Sequence, residues 1–330
     1  MRGPAERALD IATRNATYLI FAAVLLWFGL QAPGFLMPES LANIVKQSSF
    51  IGIAALGMTF VLLTGGIDLS VGAVMFLAPL IAGIAMRAFG LSVPEGFAVA
   101  LMAGVAMGAV NAFFIVVLRV IPFIVTLATL FLFRGFGTWL TSSTQFDFPE
   151  DMRRFGLSSV LGVPLPIVVF AAVALAAHVI LAHTTFGRQV YAFGNDPEAA
   201  RKSGVNTRWV QARVYVISSA CAAIAGFVLI AQIGRLDVAF GEGREFDVIA
   251  AAVLGGASLM GGTGTAFGAI VGATLIQTVK LGLVFTGVNL YLQPILMGTI
   301  IFLAVLADGL RGQRLRARLR RTIRPAQGTS

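Results

Sequence analysis

The sequence predicts an all-α integral membrane protein with about ten transmembrane helices, and three observations support this prediction. Of the 330 residues, 58% are hydrophobic and only 12% are charged, whereas soluble domains carry about 25% charged residues. The mean hydropathy is +0.89. Apolar runs follow one another along almost the whole chain, and many reach the length of about 20 residues that crosses a bilayer. These features exclude a soluble enzyme and predict one membrane domain.

Ten apolar segments meet or approach the length of a transmembrane helix, and short polar or glycine-rich breaks separate them. They are residues 17–35, 44–64, 69–86, 96–118, 121–141, 163–182, 209–233, 246–260, 265–286 and 293–308. We therefore divide the chain into an N-terminal segment (1–16), a transmembrane domain (17–310) and a basic tail (311–330).

Basic residues indicate the orientation, because cytoplasmic loops of membrane proteins are enriched in lysine and arginine. With the N-terminus inside and ten alternating helices, the inside segments hold sixteen basic residues and the outside segments hold six. Both termini are therefore predicted to be cytoplasmic. Seven arginines between Arg311 and Arg324 predict contact with anionic membrane lipid. No aromatic or groove-reading pattern accompanies them, so no nucleic-acid partner is predicted.

The long inside loop, residues 183–208, carries the signals of a short helix. Asp196 suits the N-cap, Pro197 suits the first helical position and Glu198 falls in the first turn. Gly204 is a natural stop. The loop is predicted to form a short cytoplasmic helix between two transmembrane helices. It is either a solvated connector or a lever that a partner grips.

No catalytic site, metal site or bound cofactor is predicted for this chain. The GxxxxGK[ST] motif is absent from the sequence, so the chain is not its own ATPase by that route. The only histidines, His178 and His183, are five residues apart and have no cysteine or carboxylate cluster beside them. The single cysteine, Cys221, excludes an intramolecular disulfide.

Polar side chains within the apolar segments usually face the bundle interior or a water-filled path. Asp68, in the stretch TGGIDLSVG, is the only charged residue between Gln47 and Met86. It either caps the helix that begins at Leu69 or lines a polar path, and both interpretations remain open. The other embedded polar residues are Asn111, Arg134, Gln277 and Lys280.

Glycines spaced four residues apart predict close helix packing, because small residues let helix backbones approach each other in lipid. Gly104 and Gly108 form one such pair, and Gly268 and Gly272 form another.

Three long motifs occur in order along the chain. They are GMTFVLLTGGIDLSVGAVM (57–75), FGRQVYAFGNDPEAARKSGV (186–205) and EFDVIAAAVLGGASLMGGTGTAFGAIVGA (245–273). Together they resemble the signature stretches of ribose-type ABC importer permeases, the monosaccharide branch, and the resemblance runs from about residue 18 to 310. It implies a permease subunit in the bacterial inner membrane that carries a monosaccharide or a related small polyol.

The resemblance also implies partners and site residues. The partners would be a second permease subunit, identical or paralogous, a tandem ABC ATPase that binds ATP and Mg²⁺, and a periplasmic sugar-binding protein. The ATPase contact would involve Gly194, Asn195, Glu198, Ala199, Ala200 and Gly204. The candidates for the translocation path are Asp68, Asn111, Glu245, Asp247 and Gln277. The competing hypothesis is a self-contained secondary transporter or channel for a small neutral solute.

Overall fold

The computed structural model describes residues 16–296, 298–300, 302 and 306. Residues 1–15 of the predicted N-terminal segment and the whole predicted basic tail (311–330) lie outside the described residues. Helices make up most of the described chain. In order they are α1 (Ala16–Gln31), α2 (Pro38–Leu63), α3 (Val71–Phe89), α4 (Val93–Ala112), α5 (Pro122–Leu140), α6 (Glu150–Gly156), α7 (Leu165–His183), α8 (Thr185–Asn195), α9 (Pro197–Lys202), α10 (Thr207–Ile233), α11 (Arg244–Leu254) and α12 (Ala266–Phe285).

Irregular and extended pieces complete the described fold. A π-helical turn, Phe113–Val117, continues α4, and a 3₁₀ turn, Leu290–Leu292, follows α12. Two-residue strands pair antiparallel in the segments that join the long helices. They are β1 (Phe146–Asp147) with β4 (Arg235–Leu236), and β2 (Ser159–Val160) with β3 (Val163–Pro164).

Within the described residues, seven helices are long and apolar enough to cross a membrane, namely α2, α3, α4 with its π-turn, α5, α7, α10 and α12. The all-α membrane class is therefore confirmed. The count of about ten is not. Helix α1 has only 16 described residues, and α11, within the predicted segment 246–260, has 11 residues and ends at Leu254. Segment 293–308 lies partly outside the described residues.

The core of the molecule lies around α2, α3 and α10. The spanning stretch of α2 is 83% buried within the chain, and those of α3 and α10 are 72% buried. Those of α5 and α7 are only 28% buried although they are just as apolar. Since lipid is as apolar as a protein core, exposed apolar helices are the expected solution at the lipid-facing surface.

Close helix packing occurs at both predicted glycine pairs, which confirms that prediction. A Cβ atom at Gly104 would lie 2.5 Å from Ala223, and one at Gly108 would lie 2.7 Å from the backbone of Val216, both in α10. Gly268 and Gly272 of α12 press in the same way against backbone carbonyl groups near the end of α11. Side chains at these positions would push the helices apart.

Candidate functional site

The TGGIDLSVG stretch forms an unwound segment, residues 64–70, between α2 and α3. Gly65 has a φ of +70°, a left-handed conformation that glycine adopts without strain. Asp68 lies in this segment and is 0% exposed. The sequence motif thus marks a break between two helices with a carboxylate sealed inside the protein.

A chain of hydrogen bonds leads to the Asp68 carboxylate. The backbone N–H and the hydroxyl of Ser70 donate to Oδ1 at 3.0 and 2.6 Å, and the Ser218 hydroxyl donates to Oδ2 at 2.8 Å. Asn111 donates to the Ser70 hydroxyl at 2.9 Å, and Thr129 donates to the Asn111 side-chain oxygen at 2.7 Å. An ionised carboxylate only accepts hydrogen bonds, and these bonds supply the donors that a buried one needs.

The position of Asp68 also favours a negative charge, because it lies one turn before the first residue of α3. Helix N-termini carry partial positive charge from their free N–H groups. Asp68 and Asn111, two predicted path residues, therefore meet in one buried network that joins the start of α3 to α4, α5 and α10.

Tyr215 lies beside this network and was missed by the sequence analysis. Its side chain is 0% exposed, and its hydroxyl has no hydrogen-bond partner among the described residues. Gly66 lets the phenol approach, since a Cβ atom there would collide with the hydroxyl oxygen. Nothing in the sequence distinguishes this tyrosine from an ordinary core aromatic residue.

A separate polar cavity of about 530 Å³ lies between α2, α11, α12 and Gln293. The amide side chains that line it are Asn43, Gln47, Gln277 and Gln293. The charged side chains that line it are Glu242, Arg244, Asp247 and Lys280. Two predicted path residues, Asp247 and Gln277, thus belong to this cavity, whereas Asp68, Asn111 and Glu245 are not among its lining residues.

Three of the four charged lining residues, Arg244, Asp247 and Lys280, lie close to one another. Lys280 donates a short hydrogen bond to Asp247, and Arg244 lies 3.9 Å from the same carboxylate oxygen. Gln277 donates a long bond of 3.4 Å to the backbone oxygen of Gln47. Among the described lining residues two acids match two bases, so the lining is neutral overall. Such a lining suits an uncharged polar solute better than an ion.

The sequence held a signal for this cavity that we did not use. Asn43 and Gln47 are four residues apart, and Gln277 and Lys280 are three apart. These spacings place each pair on one face of its helix. The convergence of the two faces is a tertiary contact that a single sequence does not reveal.

Glu245 lies on the other side of α11, against the start of α3. It is largely buried, and a Cβ atom at Gly72 would collide with its carboxylate. Nearby, Arg134 donates to the backbone oxygens of Val238 and Phe240 at 3.0 and 3.3 Å. Glu245 is also in the first turn of α11, where negative charge is favoured.

The short helix predicted within residues 183–208 is present as α9. Asp196 accepts hydrogen bonds from the backbone N–H groups of Glu198 and Ala199 at 2.9 and 3.0 Å, which confirms its role as N-cap. Glu198 forms an exposed ion pair with Lys202 at 3.0 Å. The residues predicted to contact an ATPase divide into two groups. Asn195, Glu198, Ala199 and Gly204 are exposed, whereas Gly194 and Ala200 face the protein.

The helix before it, α8, is fastened to the end of α2. A Cβ atom at Gly194 would collide with the backbone oxygen of Leu63, which also accepts a 2.9 Å bond from Gly262. Tyr191 donates to the backbone oxygen of Gly264 at 2.8 Å. Burial raises the pKa of the Tyr191 phenol, which keeps it a donor. The long loop therefore connects directly to the helix end from which the unwound segment departs.

Multiple spanning helices, an interrupted helix with a buried polar network and a polar cavity define a multi-pass membrane transport protein. The family described as "Branched-chain amino acid transport system / permease component" matches residues 40–305. The chain therefore belongs to this family of transport permeases, and the predicted permease family and membrane location are confirmed.

Named relatives cover most of the chain. The ribose import permease protein of Escherichia coli strain K12 is 38% identical over 84% of this chain and 88% of its own. The ribose import permease protein of Bacillus subtilis strain 168 is 36% identical over 84% and 86%. The D-allose transport system permease protein of E. coli strain K12 is 33% identical over 90% and 92%.

Proposed function

We propose that this permease carries a neutral monosaccharide or a related small polyol across the bacterial inner membrane. The observation that carries the proposal is the similarity, over at least 84% of the chain, to permeases for ribose and D-allose. The neutral, amide-rich lining of the cavity supports it. The family description names branched-chain amino acids, so an amino acid is the substrate class that the test must separate from sugars.

Transport is driven by a separate ATPase, which binds ATP and Mg²⁺, and sugar arrives on a periplasmic binding protein. Family membership supports the permease role, and the absence of a phosphate-binding loop in this sequence fits a motor on another chain. A second permease subunit, identical or paralogous, completes the membrane part of the importer.

The ATPase binds the exposed side of α9 and the residues next to it. The residues proposed for the contact are Asn195, Glu198, Ala199 and Gly204, which are exposed. Gly194 and Ala200 transmit the movement, since they pack against the rest of the protein. A shift of this loop would act on the end of α2 at Leu63 and hence on the unwound segment that contains Asp68.

In the proposed topology ten helices cross the membrane and both termini are cytoplasmic. The excess of basic residues in the inside segments supports this orientation. Helix α1, the segment around α11 and residues 293–308 would add to the seven long helices. Asp247 then lies at the outer end of its segment and Gln277 near the middle of its own. Both line the path, while Asp68, Asn111 and Glu245 support its wall.

Uptake in E. coli cells that express the permease together with the proposed ATPase and binding-protein subunits tests the proposal. Radiolabelled D-ribose, D-allose, D-galactose and L-leucine are the probes. We expect uptake of at least one sugar and its loss when the Walker lysine of the ATPase is replaced by alanine. Uptake of leucine alone would refute the sugar assignment, and uptake that survives the ATPase substitution would favour a self-contained transporter.

A further inference from the structure

We propose that the polar cavity between α2, α11 and α12 is a sugar-binding station of the permease itself, in which the amides of Gln277 and Gln293 bind substrate hydroxyl groups. This inference rests on the proposed function, because it takes the solute to be an uncharged sugar or polyol. It assigns the permease a direct part in recognising the solute.

The dimensions and lining of the cavity fit such a ligand. Its volume is about 530 Å³, and sites for small molecules typically measure about 300–1,000 Å³. The apolar lining residues Ile44, Leu281 and Val284 offer a surface for the C–H face of a sugar ring. The amides and paired charges around them offer hydrogen bonds to its hydroxyl groups, so both faces of the solute find partners.

Unused donors in the cavity indicate a missing partner. The Gln293 side-chain nitrogen is buried and has no hydrogen-bond partner in the described part of the chain. Gln277 donates only a long 3.4 Å bond. A buried donor without an acceptor is unfavourable, because the loss of its contact with water is not compensated. A sugar hydroxyl or ring oxygen is an acceptor that would remove this cost.

The charged lining residues favour a neutral solute over an ion. Asp247 is neutralised by Lys280 and faces Arg244 as well, and with Glu242 the described lining carries two acids and two bases. An ammonium group has three donors, and Lys280 uses one of them on Asp247. The others remain for a hydroxyl group, whereas an anionic solute would have to compete with Asp247 for Lys280.

Substitutions in the complete transporter test this site. With the sugar that the wild type takes up as the probe, we expect Gln277→Leu and Gln293→Leu each to lower the maximal uptake rate about tenfold, the effect of one lost bond of about 1.4 kcal/mol. Affinity of the separate binding protein should not change. Gln232→Leu is the matched control, since its amide nitrogen is also buried and unpaired among the described residues but lies outside the cavity.

Chemical protection gives a second measurement that does not depend on the leucine variants folding. Cysteine replaces Gln277, or the exposed control Gln31, in a Cys221→Ser background, and a charged methanethiosulfonate reagent is applied during turnover. We expect sugar to slow labelling at position 277 only. Wild-type rates in both leucine variants, or labelling at 277 that sugar leaves unchanged, would overturn the site alone. No sugar uptake by the wild type would overturn the proposed function and the site with it.

Discussion

Ser218, in the middle of α10, donates a 2.8 Å hydrogen bond to the carboxylate of Asp68, 150 residues earlier in the chain. This bond fastens the unwound segment between α2 and α3 to α10, one of the three helices around which the core lies. Ser70 supplies further donors from the start of α3. The carboxylate is therefore the point at which an irregular stretch of backbone is held in place within the membrane domain.

Changes at Asp68 should separate its structural role from a role in the path. Asp68→Leu removes every acceptor and leaves the donors of Ser70 and Ser218 buried, so we expect a much lower melting temperature in detergent. Each stranded donor costs about 1–3 kcal/mol. Asp68→Asn keeps an acceptor for the Ser70 N–H, and we expect it to fold and to transport within about twofold of wild type. Folded Asp68→Asn protein without uptake would show instead that the charge serves transport.

Close packing at Gly194 should be sensitive to a single methyl group. Its Cβ would collide with the backbone oxygen of Leu63, and a backbone group has little freedom to move away. We expect Gly194→Ala to destabilise the protein by about 1–3 kcal/mol, the usual cost of overpacking, in thermal unfolding. Gly135→Ala is the matched control, because open space surrounds that helical glycine. It should be neutral or stabilising by up to about 1 kcal/mol. Equal melting temperatures for the two variants would contradict the close contact.

The exposed face of α9 should matter for the ATPase and little for stability. Glu198 pairs with Lys202 at the surface, and exposed pairs contribute about 0–1 kcal/mol. We expect Glu198→Arg to weaken co-purification of the ATPase while the permease melts as before. Glu150→Arg is the control, because Glu150 forms a similar exposed pair with Arg154 at 3.1 Å on a different helix. Ala200 is unsuitable for this test, since it is 5% exposed and a larger side chain there would disturb the fold.

The Glu198→Arg experiment can also contradict the proposed contact. Retained ATPase association in a folded Glu198→Arg permease, measured by pull-down from membranes at matched expression, would remove this face from the proposed contact. Loss of association in Glu150→Arg as well would point to a general defect of assembly.

The sequence predicted features that depend on local chemistry and missed those that depend on distant contacts. The cap at Asp196 and the break at Gly65 follow from a few neighbouring residues, and both are present. The helix at 246–260 was predicted too long, because apolarity alone hides the turn that begins at Gly255. Asp247 and Lys280 are 33 residues apart, so the residues near either one in the sequence did not predict their ion pair or the cavity around them.

The same limit explains the division of the path candidates. Asp68, Asn111 and Gln277 stood out as polar residues in apolar segments, whereas Glu245 and Asp247 lie at the start of the predicted segment 246–260. The sequence around a residue does not distinguish a polar side chain that is fully hydrogen-bonded inside the protein from one that faces a cavity. That distinction depends on which helix lies opposite the side chain. Helix α10 places Ser218 opposite Asp68, and α2 places Gln47 opposite Gln277.

Two tyrosines, the partly buried Tyr191 and the fully buried Tyr215, offer a final comparison, because the same substitution should have opposite effects. Tyr191→Phe removes the 2.8 Å bond to Gly264, and we expect a loss of about 0.5–1.5 kcal/mol. Tyr215→Phe removes a hydroxyl that has no partner among the described residues, so we expect equal or higher stability, since burying an unpaired polar group is unfavourable. Thermal unfolding of both variants beside the wild type measures the difference.

The outcome at Tyr215 also tests whether its hydroxyl serves transport. It lies beside Gly66 at the unwound segment and is sealed from solvent, so removing it should leave sugar uptake unchanged if the segment is held by Asp68 and Ser218 alone. A Tyr215→Phe protein that is less stable than wild type would show that the hydroxyl has a partner in the membrane-embedded protein. A stable variant without uptake would show that the hydroxyl acts during the movement of the segment, when the buried network must open and new donors are needed.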